Sequence, residues 1–160
     1  MKTSGRKSAM ATALVLAAAL TVAAGPAADE PLPAPGKGDK CPVCGMFVAP
    51  YPEWTAALVH RNGTAAFFDG AKDMFRYLLD MEKYGGGRRR SDVTAVYVTD
   101  YYTARIVDAR EVPFVTGSRV LGPMGRKLVP VSGEIELKEF IKDYGGSVLY
   151  YNDIGLENIP

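Results

Sequence analysis

The feature that most restricts the fold is the dipeptide Asn62-Gly63, which stands between two short runs of aromatic, β-branched and small residues. Asn-Gly favours the tight turn that joins two antiparallel strands. The flanking runs, 54–61 and 64–68, are therefore predicted to form a β-hairpin. At least one sheet must then be built from strands that are neighbours in the chain.

A helix is predicted directly after this hairpin. Apolar residues recur at helical spacing beyond Asp69-Gly70, and Asp69 can cap the first turn. We expect the helix to end near Lys83, because three consecutive glycines follow shortly. A strand over 93–99 with apolar residues on both faces is predicted next, at a central position in the sheet. The apolar helix positions are Ala71, Met74, Phe75, Leu78 and Met81.

The second half of the chain is predicted to repeat this order of elements. Strands are expected over 103–108 and 127–131, then a helix opened by Ser132, then a final strand over 147–151. The predicted fold class is therefore α+β, with two consecutive strand-strand-helix-strand units and mixed sheets. The apolar face of the second helix is predicted to consist of Leu137, Phe140, Ile141 and Tyr144.

Residues 1–28 have the pattern of a secretory signal peptide. Lys2, Arg6 and Lys7 precede an apolar run over 11–24, and small residues follow it. The run is shorter than the roughly 20 residues that a spanning helix needs. We therefore expect cleavage between about residues 25 and 30 and a periplasmic mature chain, with a signal-anchored form as the alternative.

The rest of the chain is predicted to be one linker and one domain. Residues 29–40 are rich in proline, glycine and charge and lack apolar periodicity, which predicts a flexible linker. The folded domain is then expected over 41–160, within the usual domain size of roughly 100–200 residues.

The charge balance bears on the class of partner. The whole chain has a formal net charge of +1, and without the three cations of residues 1–28 it has 16 cationic and 18 anionic residues. Such a chain has no long-range field that would hold nucleic acid or acidic lipid. We therefore expect no nucleic-acid partner and no stable membrane insertion of the mature chain. The cluster Arg88-Arg89-Arg90 is interpreted as charge on a solvated loop.

Both cysteines of the chain lie in the motif Cys41-Pro42-Val43-Cys44. A closed zinc site needs four ligands, and with one histidine in the chain it would require a carboxylate or water as well. A thiol-disulfide oxidoreductase needs its first cysteine at a helix N-terminus after a buried strand, whereas a linker precedes this motif. A structural module with a plain Cys41-Cys44 disulfide is the third alternative for an exported protein.

A soft-metal site is the remaining interpretation, because thiolate and thioether groups select copper(I), which needs only two or three donors. Met46 follows Cys44 closely, although it could equally fill a gap in the core. Met124 lies between turn residues, where neither a helix face nor a strand face buries it easily. His60 is either a surface histidine or a nitrogen ligand. The candidate metal ligands are Cys41, Cys44, Met46, Met124 and His60. The sequence has no recognisable catalytic motif, so we predict a protein that is not an enzyme.

Three separated motifs resemble the nitrous-oxide reductase accessory proteins of the NosL type. They are the stretch 41–48, the element 67–70 and the Gly-Pro-Met-Gly turn over 122–125. The resemblance implies a periplasmic copper(I)-binding metallochaperone whose partners are apo nitrous-oxide reductase or its assembly factors. It also implies that Cys41, Cys44, Met46 and Met124 bind the metal, whereas His60 belongs to none of the motifs. Many members carry a lipid on a cysteine at the end of the signal, and this chain has no cysteine there.

Overall fold

The fold was obtained as a computed structural model that describes residue 1 and residues 34–160. The predicted signal peptide and the first part of the predicted linker lie outside the described residues, apart from residue 1. Within 34–160, no helix combines the length and the apolar character needed to cross a bilayer.

Nine strands and three α-helices lie within residues 34–160. The strands are β1 (Ala56–His60), β2 (Ala65–Phe68), β3 (Val93–Thr99), β4 (Ile106–Asp108), β5 (Phe114–Thr116), β6 (Leu121–Gly122), β7 (Gly125–Arg126), β8 (Val129–Pro130) and β9 (Ser147–Leu149). The α-helices are α1 (Ala71–Leu79), α2 (Met81–Tyr84) and α3 (Glu134–Tyr144). The described strands form a sheet of order β2-β1-β3-β4, a second sheet of order β8-β5-β9, and the pair β6-β7.

The first sheet grows from the predicted hairpin. β1 and β2 are antiparallel, and the amide of His60 donates to the carbonyl oxygen of Thr64 at 2.8 Å. Gly63 adopts a φ of 80°, a conformation that favours glycine at this position of the turn. β3 pairs with the other side of β1 and β4 extends the sheet, so β1 and β3 are central. The hairpin and the strand over 93–99 were therefore predicted correctly from local sequence.

The second sheet repeats the arrangement of the first. β5 lies between β8 and β9, as β1 lies between β2 and β3, and α3 connects β8 to β9. The small β6-β7 hairpin is inserted between β5 and β8. The described domain therefore consists of two consecutive strand-strand-helix-strand units, with β4 as an addition to the first sheet.

The predicted α+β class is confirmed, and two details differ. The described strand pairs are all antiparallel rather than mixed, because the parallel strands of each unit are separated by its central strand. The strand predicted over 103–108 is β4, which belongs to the first sheet. The second unit begins instead with β5, whose three residues between Pro113 and Gly117 give too short a pattern to be recognised.

Helix α1 forms the centre of the main core. All five predicted apolar positions are buried, but the helix predicted to reach Lys83 is divided at Asp80 into α1 and α2. The ring of Phe75 contacts the ring of Phe114 from the second unit, with centroids 5.2 Å apart. In α3, by contrast, Phe140 alone is fully buried, and Leu137, Ile141 and Tyr144 are partly buried around it.

Candidate metal centre

The two cysteines lie in a short loop that closes on itself. Lys40 and Phe47 form an antiparallel bridge across its base, and the amide of Cys41 donates to the carbonyl oxygen of Met46 at 2.8 Å. The amide of Gly45 donates to the carbonyl oxygen of Cys41 at 2.8 Å, and Gly45 adopts a φ of 78°. Backbone hydrogen bonds therefore fix the conformation of the loop independently of its sulfur atoms.

Both thiols face the beginning of helix α1. Cys41 Sγ lies 3.6 Å from Asp73 Oδ2, and Cys44 Sγ lies 3.3 Å from Asp69 Oδ1. One ligand atom from each of these four residues lies within 4.8 Å of the others. Cys41 and both aspartates are buried, Cys44 is half-buried, and both thiols are free. The four residues form a candidate metal centre with two sulfur and two carboxylate donors.

The sequence had suggested that Asp69 caps helix α1, but in the structure it does not. Gly70 occupies the N-cap position without a side-chain bond, and the Asp69 carboxylate instead accepts a hydrogen bond from Lys127 Nζ at 3.1 Å. Lys127 Nζ also donates to the Asp69 carbonyl oxygen at 3.1 Å, and each side chain of the pair is 1% exposed. A Cβ atom at Gly122 would collide with the Lys127 side chain. The close approach of a glycine backbone therefore makes room for this buried cation.

Burial disfavours the thiolate form of both cysteines in the metal-free centre. Burial raises the pKa of the Cys41 thiol well above its ordinary value, and burial also raises the pKa of Cys44. Burial alone would raise the pKa of Asp69 too, but the charge and hydrogen bond of Lys127 outweigh it and lower that pKa. A redox-active cysteine needs a lowered thiol pKa, so these shifts argue against the oxidoreductase alternative.

The two carboxylates weaken the case against zinc that was based on the number of available ligands. The sequence had offered too few recognisable donors for a closed zinc site, whereas Asp69 and Asp73 bring the count to four. Asp73 Oδ1 is buried without a hydrogen bond among the described residues, and Arg76 Nη1 approaches it only to 3.6 Å. Asp69 is already bonded to Lys127. The choice between metals therefore depends on the softness of the sulfur donors rather than on number.

Sequence reasoning had missed both aspartates as candidate ligands. A partial signal existed, because Asp69 stands just before the predicted helix and Asp73 in its first turn, so both lie at the same end of it. Nothing local, however, indicated that the cysteine loop would pack against that end.

The two methionine candidates remain predictions. Met46 is partly buried at the end of the cysteine loop. Met124 lies in the turn between β6 and β7, and its side chain is 46% exposed. Its carbonyl oxygen accepts a hydrogen bond from Lys72 Nζ at 2.8 Å, and Lys72 directly precedes Asp73 in α1. The Met124 turn therefore contacts the same end of α1 that carries the aspartates.

His60 does not lie with the thiols. Ala56, the first residue of β1, pairs with Phe68, so Asp69 lies beside the start of β1. His60 is the last residue of β1 and lies at the opposite end of the strand. Four residues of strand separate the two ends by roughly 13 Å, at about 3.3 Å per residue. The predicted role of His60 as a ligand of this centre is therefore not supported. His60 is only 3% exposed, so it is not a surface histidine either.

The fold and the centre together define a small α+β protein with a candidate site for a soft metal. A sequence model of the NosL family matches residues 32–159, which is most of the chain, and the chain therefore belongs to the NosL family. The resemblance predicted from the three motifs is confirmed.

Two relatives illustrate the match. The copper-binding lipoprotein NosL of Stutzerimonas stutzeri is 27% identical over 124 residues, which cover 72% of this chain and 62% of that protein. This chain thus spans less than two thirds of that relative's length. The crystal structure of the copper chaperone NosL from Shewanella denitrificans is 26% identical, with a TM-score of 0.68. That match covers 79% of this chain and 97% of the other.

Proposed function

We propose that this protein is an exported metallochaperone that binds copper(I) and supplies it for the maturation of nitrous-oxide reductase. The observation that carries the proposal is the pair of free thiols, Cys41 and Cys44, held side by side against α1 in a chain of the NosL family. The names of the two relatives, a copper-binding lipoprotein and a copper chaperone, support the same metal. In this proposal the protein is a carrier and not an enzyme.

The donor set supports copper(I) over harder ions. Two thiolates can hold copper(I) by themselves, and a thioether from Met46 or Met124 would complete a three-coordinate site. The carboxylates of Asp69 and Asp73 are poor ligands for so soft an ion. Their proposed role is to accept hydrogen bonds from the thiols in the metal-free protein, which keeps the loop in position.

Proton exchange gives the site a means of release. Copper(I) binds thiolates, so loading must displace the thiol protons, and the raised pKa of each thiol favours their return when copper leaves. Cys44 is half-buried whereas Cys41 is fully buried, so an acceptor would reach the metal from the side of Cys44. A site that is open on one side suits transfer better than storage.

The proposed recipient is apo nitrous-oxide reductase or one of its assembly factors, in the periplasm. Export is supported by the signal pattern of residues 1–28 and by the lipoprotein relative. The recipient is inferred from membership of the NosL family.

The choice of metal can be tested by competition. The reduced mature protein would be titrated anaerobically with copper(I) against a chromogenic chelator, with and without zinc. Cys44→Ser should weaken copper(I) binding by at least about a hundredfold, or ~2.7 kcal/mol. Met124→Ala should weaken it by about tenfold if the thioether is a ligand, and the conservative core change Met74→Leu serves as the matched control. Zinc binding equal to or tighter than copper(I) binding would overturn the assignment of copper as the cargo.

Transfer needs a separate experiment. Copper-loaded protein would be mixed with apo nitrous-oxide reductase, in the presence of a chelator that captures free copper(I). We expect copper to appear in the reductase in spite of the chelator. If the chelator abolishes transfer, copper is released into solution and not passed directly to the reductase. That result would contradict the chaperone role but not the binding of copper.

A further inference from the structure

A cavity of about 360 Å³ lies at the end of β1 remote from the thiols. Its walls are formed by His60, Arg61, Asn62, Arg88 and Asp92. These residues come from the end of β1, from the turn that follows it, and from the segment before β3. Ligand pockets in proteins commonly measure about 300–1,000 Å³, so a small organic molecule fits this space.

His60 is the buried polar group of this cavity. It is 3% exposed, and neither Nδ1 nor Nε2 has a hydrogen-bond partner among the described residues. Buried polar nitrogens are nearly always bonded, since leaving them unpaired costs free energy. Burial, and then the positive charge of Arg88, lower the pKa of His60. The lowered pKa favours the neutral imidazole, whose one donor and one acceptor are closed off from solvent and unpaired.

The charged walls of the cavity favour an anion. Arg61 Nη2 already donates to the carbonyl oxygen of Ser91 at 2.9 Å, and one oxygen of Asp92 accepts from the amide of Arg89 at 2.8 Å. The guanidinium of Arg88, by contrast, has no ion pair or hydrogen bond within residues 34–160. Its planar array of donors suits a carboxylate or a phosphate. The two arginines outnumber the single aspartate, so the net charge of the lining is positive.

We propose that this cavity binds a small organic anion, whose carboxylate or phosphate group pairs with Arg88 beside the buried ring of His60. The site is distinct from the metal centre and does not depend on the proposed copper function. This proposal gives the cluster Arg88-Arg89-Arg90 a more specific role than solvated surface charge. Arg88 lines the cavity, whereas Arg89 does not.

The single histidine of the chain provides a direct probe. Its ring resonances can be assigned without mutagenesis, since the sequence contains no other histidine. The metal-free mature protein would be titrated at pH 7.5 with sodium phosphate, with sodium succinate, and with sodium chloride at matched ionic strength. We expect a saturable shift of the His60 resonances with phosphate or succinate and none with chloride. The more effective of the two anions identifies the oxyanion that the site prefers. Equal responses to all three salts would overturn the proposal.

Matched variants locate the site. Arg88→Gln should weaken anion binding by at least about tenfold, whereas Arg89→Gln, which removes the same charge one residue away, should change it by less than about twofold. Equal losses in Arg88→Gln and Arg89→Gln would indicate general charge attraction and would overturn the assignment of the cavity.

Discussion

The two strand-strand-helix-strand units can be compared at the start of their helices, where each has an acidic residue paired with a lysine. In the first unit Asp69 precedes α1 and pairs with Lys127, and both side chains are 1% exposed. In the second unit Glu134 opens α3 and pairs with Lys138, and these side chains are 82% and 73% exposed. The topological position is nearly the same, but the surroundings are opposite.

The difference shows how one of two similar units came to hold the candidate site. The cysteine loop covers the start of α1, and Lys127 reaches it from just before β8 of the second unit. Among the described residues no cysteine loop packs over the start of α3, so its acidic first turn remains exposed to solvent. Burial, rather than the presence of a carboxylate, distinguishes a candidate metal centre from an ordinary helix terminus.

The largest effect should follow from breaking the buried ion pair. Asp69→Asn leaves the charge of Lys127 buried and unpaired, which should lower the free energy of unfolding by roughly 3–5 kcal/mol. Glu134→Gln is the matched change in the second unit and should cost no more than about 0.5 kcal/mol. Urea unfolding of both variants measures the contrast. Similar losses in the two would mean that the burial of Asp69 does not control its contribution.

The next contrast concerns the helices themselves. Met74→Ala in α1 removes a fully buried side chain and should cost roughly 2–5 kcal/mol, because it leaves a cavity in the main core. Ile135→Ala in α3 alters a side chain that is 71% exposed and should change stability by less than about 0.5 kcal/mol. Thermal and urea unfolding distinguish them. A loss at Ile135 comparable to that at Met74 would show that α3 is covered by something outside the described residues.

A smaller effect should appear as a pH dependence in the first unit. The pKa of His60 in the folded protein lies below its ordinary value of 6.5, so at pH values below 6.5 the unfolded chain takes up a proton that the folded protein does not. The free energy of unfolding should therefore fall as the pH is lowered from 6.5 towards the folded-state pKa, and be unaffected by this group above 7.5. Stability would be measured between pH 7.5 and 5.5. The variant His60→Gln should lack this slope, and an unchanged slope would contradict the assignment to His60.

The smallest effect on stability is expected in the inserted hairpin. Met124→Ala alters an exposed turn residue in the second unit and should change the free energy of unfolding by less than about 0.5 kcal/mol. Any loss of copper binding in this variant would then be a direct effect on the site. A loss of several kcal/mol would place Met124 in the core and remove it from the list of exposed candidate ligands.

Local sequence was sufficient for much of the fold. Asn62-Gly63 determined the first hairpin, and the five apolar positions identified by helical spacing are all buried, four of them in α1 and Met81 in α2. These features depend on a turn and on the period of a helix, which act over a few residues and are therefore visible in the chain itself. β5 was missed because three residues carry too little pattern, although it is the central strand of the second unit.

For the candidate site, the sequence by itself determined the two thiols and the family motifs that contain them. Only the tertiary structure decided their surroundings: Asp73 meets Cys41 across 32 residues, and Lys127 meets Asp69 across 58. It also separated His60 from the thiols by the length of β1, although both had been predicted for one site. Burial, and with it the pKa of each group, depends on which distant segments pack together, and no short pattern in this chain encodes that packing.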